Sequence, residues 1–167
     1  MSAESDEQFR EFMRGRWPAM VRLAYGLTGD LGHAEDVAQA AFARAYASWG
    51  RVARTGDPDA YVRRIVINEN HSRFRRRRVA ESLVDAVPEP PPQPQPDPLS
   101  GSAALLRALR RLGPRQRAVI VLRFWMDMSE AETAAALNCS VGTVKSQASR
   151  ALAALRGSAE LMEGELQ

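Results

Sequence analysis

The sequence predicts an all-α protein made of two small helical domains joined by a proline-rich linker. In both halves, apolar residues recur at spacings of three and four, as they do on the buried face of an amphipathic helix. No run of alternating apolar and polar residues is long enough to indicate a β-sheet. Seven of the ten prolines lie between Pro88 and Pro98, where missing N–H groups and restricted neighbours exclude both helix and central strand.

The proline run sets the expected domain boundaries. We expect the first domain over residues 8–79, the linker over residues 80–102 and the second domain over residues 103–160. The linker carries four acidic residues and no basic residue, and its prolines favour a semi-rigid polyproline-type spacer. Domains of this size bury only modest cores, so marginal stability or help from a partner is expected.

Three helices are predicted in the first domain. Asp30 is placed to cap the second helix, and Asp57 and Pro58 provide an N-cap and a first-turn proline for the third. Residues 51–57 between these helices are expected to form a loop. The apolar residues that predict the first helix are Phe9, Phe12, Met13, Trp17, Met20, Val21, Leu23, Ala24 and Leu27.

In the second domain, an amphipathic helix over residues 105–112 ends at Gly113 and Pro114, and a further helix covers residues 114–126. Ser129 and Glu132 then have the spacing of a capping box, in which each side chain accepts a hydrogen bond from the other residue's backbone N–H.

A short helix, a three-residue turn and a second capped helix form the helix-turn-helix pattern. Ser140 is expected to cap the last helix, which we expect to run to about Arg156, and Ala134 is small where the two helices should cross. The predicted inward stripe is Leu137, Val141, Val144, Ala148, Ala151, Leu152 and Leu155. The opposite face lacks acidic residues from 140 to 156, which suits approach to DNA phosphates. An ordinary helical hairpin with a polar outer face is the alternative.

Charge and composition narrow the function classes. Two basic segments flank the acidic linker, and 22 of the 23 basic residues are arginine, which favours a polyanionic partner, although solvated helix faces are an alternative. One cysteine excludes an internal disulfide, and two distant histidines give poor support for a metal site. There is no glycine-rich phosphate loop or nucleophile elbow, so we expect neither enzyme activity nor a cofactor. No signal peptide or membrane-spanning segment is visible, so a cytoplasmic protein is expected.

Two segments carry a family resemblance. Residues 128–156 (MSEAETAAALNCSVGTVKSQASRALAALR) resemble sigma factor region 4, and also the C-terminal domain of LuxR-type regulators. Residues 32–42 (GHAEDVAQAAF) resemble a segment of sigma region 2, followed at family spacing by residues 61–68 (YVRRIVIN). On both segments together, the chain is identified as a member of the extracytoplasmic-function (ECF) sigma factors. The alternative is a stand-alone LuxR-type regulator.

The resemblance implies a polymerase subunit that directs transcription initiation at particular promoters. The first domain would be region 2 and the second region 4. Implied partners are core RNA polymerase, promoter DNA and an anti-sigma factor, with no membrane insertion. Implied contacts to the −35 element are Thr143, Lys145, Ser146, Gln147, Ser149 and Arg150. Implied contacts to the −10 element are Arg64, Asn68, Asn70, His71, Arg73, Arg75 and Arg76. Implied polymerase contacts are Asp36, Gln39 and Phe42, with core packing an equal alternative for Phe42.

Overall fold

The computed structural model describes residues 2–83 and 103–165, and every regular element within these ranges is helical. The chain divides into two compact units, residues 1–96 and 97–167, with the boundary in the proline-rich stretch. The expected all-α architecture is confirmed. Within the described ranges, no helix is long and apolar enough to cross a membrane, and no group of three or more metal-binding side chains comes together.

The first unit packs three long helices together. They are α1 (Ala3–Thr28), α2 (Leu31–Ala47) and α4 (Pro58–Leu83), with a short α3 (Trp49–Val52) and a 3-10 turn (Ala53–Thr55) between the last two. The largest fully buried side chains of this unit are Met20, Leu23, Leu27, Val37, Val52, Val62, Val66 and Ile67.

Local capping explains where these helices begin and end. Asp30 accepts a hydrogen bond from the backbone N–H of His33 at 2.9 Å, and Asp57 accepts one from Ala60 at 3.0 Å, as predicted. Gly29 ends α1 in the left-handed conformation, with φ of 71°, which glycine adopts without a Cβ penalty. Only Gly29 and Asp30 separate α1 from α2, so the two helices are connected tightly.

Two expectations for this unit need correction. Residues 51–57 are not a simple loop, because α3 and the 3-10 turn extend to Thr55 and leave only Gly56 and Asp57 outside regular structure. Helix α4 also continues to Leu83, past the expected start of the linker at residue 80. Neither proline nor glycine occurs after Pro58 within this helix, so no residue there interrupts its backbone hydrogen bonds. Residues 84–102 of the expected linker lie outside the described residues.

The second unit contains α5 (Ala103–Arg111), α6 (Pro114–Ile120), α7 (Glu130–Leu137) and α8 (Val141–Glu165). Helix α6 passes directly into a π-helical turn, Val121–Trp125. The core of this unit includes Leu106, Leu109, Leu112, Ala118, Val119, Ile120, Val121, Leu122, Met128, Val144 and Ala151.

Arg117 joins α6 to the end of α5. Its guanidinium donates to the backbone carbonyls of Leu109 at 2.9 Å and of Arg110 and Leu112 at 3.0 Å each. These include carbonyls at the end of α5 that lack partners within the helix. Burial, with a smaller contribution from Arg110, lowers the pKa of Arg117, but the group remains protonated at neutral pH.

Candidate nucleic-acid interface

The helix-turn-helix of the second unit is fixed by two local caps. Ser129 and Glu132 form the predicted capping box, with both hydrogen bonds at 3.0 Å. Asn138 ends α7 with a left-handed φ of 53°, and Ser140 accepts a hydrogen bond from the backbone N–H of Thr143 at 3.0 Å. Asparagine tolerates this conformation better than most residues, so the turn is encoded locally.

A small apolar cluster holds α6, α7 and α8 together. Val119, Ala134 and Val144 are buried at its centre, and Ala134 stands where the close helix crossing was predicted. Leu137, Cys139 and Ala148 are partly buried against the cluster. Val141 was expected in the inward stripe but is 39% exposed, because it lies in the first turn of α8, at the edge of the contact.

The outer face of α8 carries most of the predicted −35 contacts. Ser146, Ser149 and Arg150 are exposed, while Thr143 and Gln147 are half-buried at the edge of the same face. Arg150 makes no ion pair with any residue in the described part of the chain. Two hydroxyls already have local partners: Thr143 Oγ1 lies 2.9 Å from Ser140 Oγ, and Ser146 Oγ donates to the Thr143 carbonyl at 3.1 Å.

Lys145 stands apart from the other predicted contacts. At about 100° per residue, it points roughly 160° away from Thr143 around the helix axis. Its Nζ lies 3.9 Å from Glu130 Oε2 at the start of α7. The structure therefore places Lys145 on the flank that faces α7.

Six of the seven predicted −10 residues fall into two groups on α4, and Asn70 belongs to neither. Arg64, Asn68, His71 and Arg75 follow one another at spacings of four, three and four, which aligns them along one side of the helix. Arg64, Asn68 and Arg75 are exposed and His71 is half-buried. We call these four residues the α4 row. Asn70 is half-buried and lies about 120° around the helix from Arg64, outside the row.

The second group surrounds a buried carboxylate that the sequence analysis did not single out. The side chain of Glu69 is 7% exposed, and its Oε1 lies 3.5 Å from Arg73 Nε and 3.6 Å from Arg76 Nη2. Arg44 of α2 places Nη2 3.2 Å from Oε2, an ion pair without hydrogen-bond geometry. We call these four residues the Glu69 cluster. The sequence signal is that Glu69 is the lone acid between Asp59 and Glu81 on an arginine-rich helix.

The predicted polymerase contacts on α2 also divide. Asp36 and Gln39 are exposed. Phe42 is only 2% exposed, and its ring packs on those of Phe12 and Trp17, with centroids 6.1 and 5.8 Å away. Phe42 therefore packs in the core, which favours the core-packing alternative for this residue, and its contact with polymerase stays a prediction.

A groove of about 610 Å³ lies between α1 and α2. Aromatic and apolar side chains supply most of its lining, and Asp6, Arg10 and Gln39 add polar groups. The hydroxyl of Tyr46, which is 42% exposed, donates to Asp6 Oδ1 at 3.0 Å. This hydrogen bond to a carboxylate raises the pKa of Tyr46. The other residues that line the groove are Phe9, Met13, Trp17, Phe42 and Ala43.

Comparisons with known proteins agree with this geometry in both units. Residues 16–79 match the family described as sigma-70 region 2, and residues 102–155 match sigma-70 region 4. The chain is 42% identical over 149 residues to the RNA polymerase sigma-E factor of Streptomyces coelicolor, covering 89% of this chain and 84% of that protein. It is 33% identical over 140 residues to the ECF RNA polymerase sigma factor SigL of Mycobacterium tuberculosis, covering 81% and 79%.

Solved structures that resemble this chain include a sigma factor as well. The sigma factor RpoE of Bartonella quintana, solved in complex with the anti-sigma factor NepR, superposes with a TM-score of 0.73 at 27% identity, covering 90% of this chain and 96% of that one. CnrH, solved with the cytosolic domain of CnrY, gives a TM-score of 0.63 at 25% identity, covering 93% and 90%. A LuxR-type regulator is not favoured, because region 2 is matched as well as region 4. The chain therefore belongs to the ECF group of the sigma-70 family and is an RNA polymerase sigma factor.

Proposed function

We propose that this sigma factor binds core RNA polymerase through α2, contacts the promoter −10 element through α4 and reads the −35 element through α8. The observation that carries the proposal is the outer face of α8, which presents exposed Ser149 and an exposed Arg150 that makes no ion pair with any other described residue, on a helix capped by Ser140. Each of the three contacts is supported separately by the structure.

The −35 contact is supported by the chemistry of the α8 face. Arg150 has the forked donors that recognise guanine, and Gln147 has the amide that recognises adenine in the major groove. Neither side chain has to give up an ion pair with a described residue in order to reach DNA. Serine hydroxyls beside them suit phosphate oxygens. Because Lys145 faces Glu130, we assign it a phosphate contact beside the base-reading residues.

The −10 contact is supported by the α4 row. Its arginines suit backbone phosphates, and exposed Asn68 provides a donor and an acceptor for base edges, with half-buried His71 beside it. The exposed Phe74, with 37% exposure, offers a stacking surface at the same end of the helix. This combination suits single-stranded DNA, where bases are open to stacking and to edge contacts.

The polymerase contact is supported by the exposed side of α2. Asp36 and Gln39 lie one turn apart there, and Gln39 also borders the groove between α1 and α2. Phe42 packs on aromatic rings of α1 and also lines that groove, so we assign it a role in shaping the surface beside Gln39.

Regulation by an anti-sigma factor is also proposed, because the structural relatives RpoE and CnrH were solved with NepR, named as an anti-sigma factor, and with CnrY. The chain would act as an initiation factor in the cytoplasm, where the polymerase works, with no catalysis and no cofactor of its own.

The test combines binding and transcription. Purified protein is mixed with sigma-free core polymerase, co-elution is measured, and transcripts made from genomic DNA fragments are sequenced. Co-elution together with discrete start sites is expected, and the start sites identify both promoter elements. Specific duplex binding by the protein without polymerase, and no co-elution, would contradict the proposal and support a stand-alone regulator.

A further inference from the structure

The Glu69 cluster contains the one strongly buried carboxylate among the described residues of α4. A buried carboxylate is costly unless cations or donors compensate it. Here the compensation comes from two helices, since Arg44 belongs to α2 and Arg73 and Arg76 belong to α4. Because Glu69 is buried, its charge has to be compensated by these arginines.

The arginines, in contrast, remain open to solvent. The side chain of Arg73 is 39% exposed and that of Arg76 is 69% exposed, so each guanidinium faces Glu69 on one side and water on another. Arginine binds carboxylates and phosphates with the same forked geometry. A DNA phosphate that approached these arginines would compete with Glu69 for the same donors.

We propose that Glu69 acts as an internal substitute for a DNA phosphate: it holds Arg73 and Arg76 and so lowers the sequence-independent affinity of α4 for DNA. The α4 row, whose Arg64 and Arg75 form no ion pair with another described residue, is left to make the promoter contact. The consequence is selectivity, because sequence-independent binding is set largely by phosphate contacts. This inference rests on the proposed contact of α4 with the −10 element.

The experiment compares the full chain with Glu69→Gln, which removes the charge and keeps the shape. Binding to single-stranded −10 promoter DNA and to a scrambled strand is measured from 50 to 200 mM salt, and again with polymerase holoenzyme. Each additional phosphate that the protein neutralises on a single strand steepens the salt dependence by about 0.7 in log–log slope, or roughly threefold over this range. We expect the released Arg73 and Arg76 to neutralise one or two further phosphates. The ratio of binding to the promoter strand over binding to the scrambled strand should then fall.

The matched control is Glu11→Gln, which makes the same change of charge at an exposed position on α1. A steeper slope in Glu69→Gln but not in Glu11→Gln supports the inference. Equal slopes in the two variants overturn it. Weaker binding to both strands also overturns it, because Glu69 would then orient the arginines for DNA instead of restraining them.

Two further variants keep the result interpretable. Arg75→Gln should flatten the salt dependence whether or not Glu69 restrains its neighbours. If it does not, the proposed −10 contact of α4 fails and not only the inference. Circular dichroism checks folding. If Glu69→Gln unfolds, Glu69→Asp replaces it, because the shorter side chain withdraws the charge by one methylene. Glu69→Asp must then steepen the salt dependence of binding by a smaller amount, and an unchanged salt dependence overturns the inference.

Discussion

Arg150 offers the sharpest test of how α8 reads DNA. It is exposed, and within the described part of the chain it makes no ion pair, so Arg150→Ala removes no known intramolecular bond. The free energy of unfolding should therefore change by no more than about 0.5 kcal/mol. If Arg150 contacts a base edge, binding should weaken by about 1–3 kcal/mol, roughly 5- to 150-fold.

The assay is holoenzyme binding to a promoter and to a set of single-base −35 variants at several salt concentrations. Loss of discrimination at one base pair, with little change in salt slope, identifies a base contact. An equal loss on all sequences, with the slope reduced by about 0.9, identifies a phosphate contact. The control is Arg156→Ala, an exposed arginine further along the same helix. If Arg150→Ala binds as well as Arg156→Ala, the assignment of this face to DNA is refuted.

The remaining predictions test the other surfaces. Replacing Asp36 and Gln39 with Ala should weaken co-elution with core polymerase by about 1–2 kcal/mol and leave thermal stability unchanged; unfolding would show a structural role instead. Arg117→Ala should destabilise the second unit by about 1–3 kcal/mol in thermal denaturation, because three carbonyls lose a charged donor, and Lys at this position should restore only part of the loss. Tyr46 should titrate above its ordinary pKa of 10.0 in NMR, and Asp6→Asn should lower that value; an unchanged titration would argue against the hydrogen bond. Because the pKa of Tyr46 is raised in the folded state, its hydrogen bond to Asp6 stabilises the fold below pH 10.0. That stabilisation is lost as the pH rises and the phenol ionises.

Features that depend on neighbouring residues could be predicted from the sequence. The caps at Asp30, Ser129 and Ser140 involve partners three residues away, so their spacing is visible in the chain. The helix-turn-helix and its outer face follow from the same local order. Family resemblance then extended the prediction from fold to function.

Features that depend on contacts between helices could not be predicted. The role of Glu69 requires that α2 bring Arg44 beside α4, which no spacing along the sequence reveals. Phe42 lies on the same helix as exposed Gln39, and only its packing against α1 shows that it belongs to the core. The sequence likewise groups Asn70 and Arg73 with the other predicted −10 contacts, and only the packing of α4 separates them from the α4 row.

The two-residue connection between α1 and α2 bears on how the protein folds. Helices joined this closely make contacts between residues near in sequence, and such topologies fold quickly because little chain entropy is lost before contacts form. Among the described residues of the first unit, the last buried apolar one is Ile67, so all the core residues described for that unit are synthesised before the second unit begins. During translation the first unit is therefore able to fold while the second is still being made. The surface proposed to bind polymerase would then form before the helix proposed to read the −35 element.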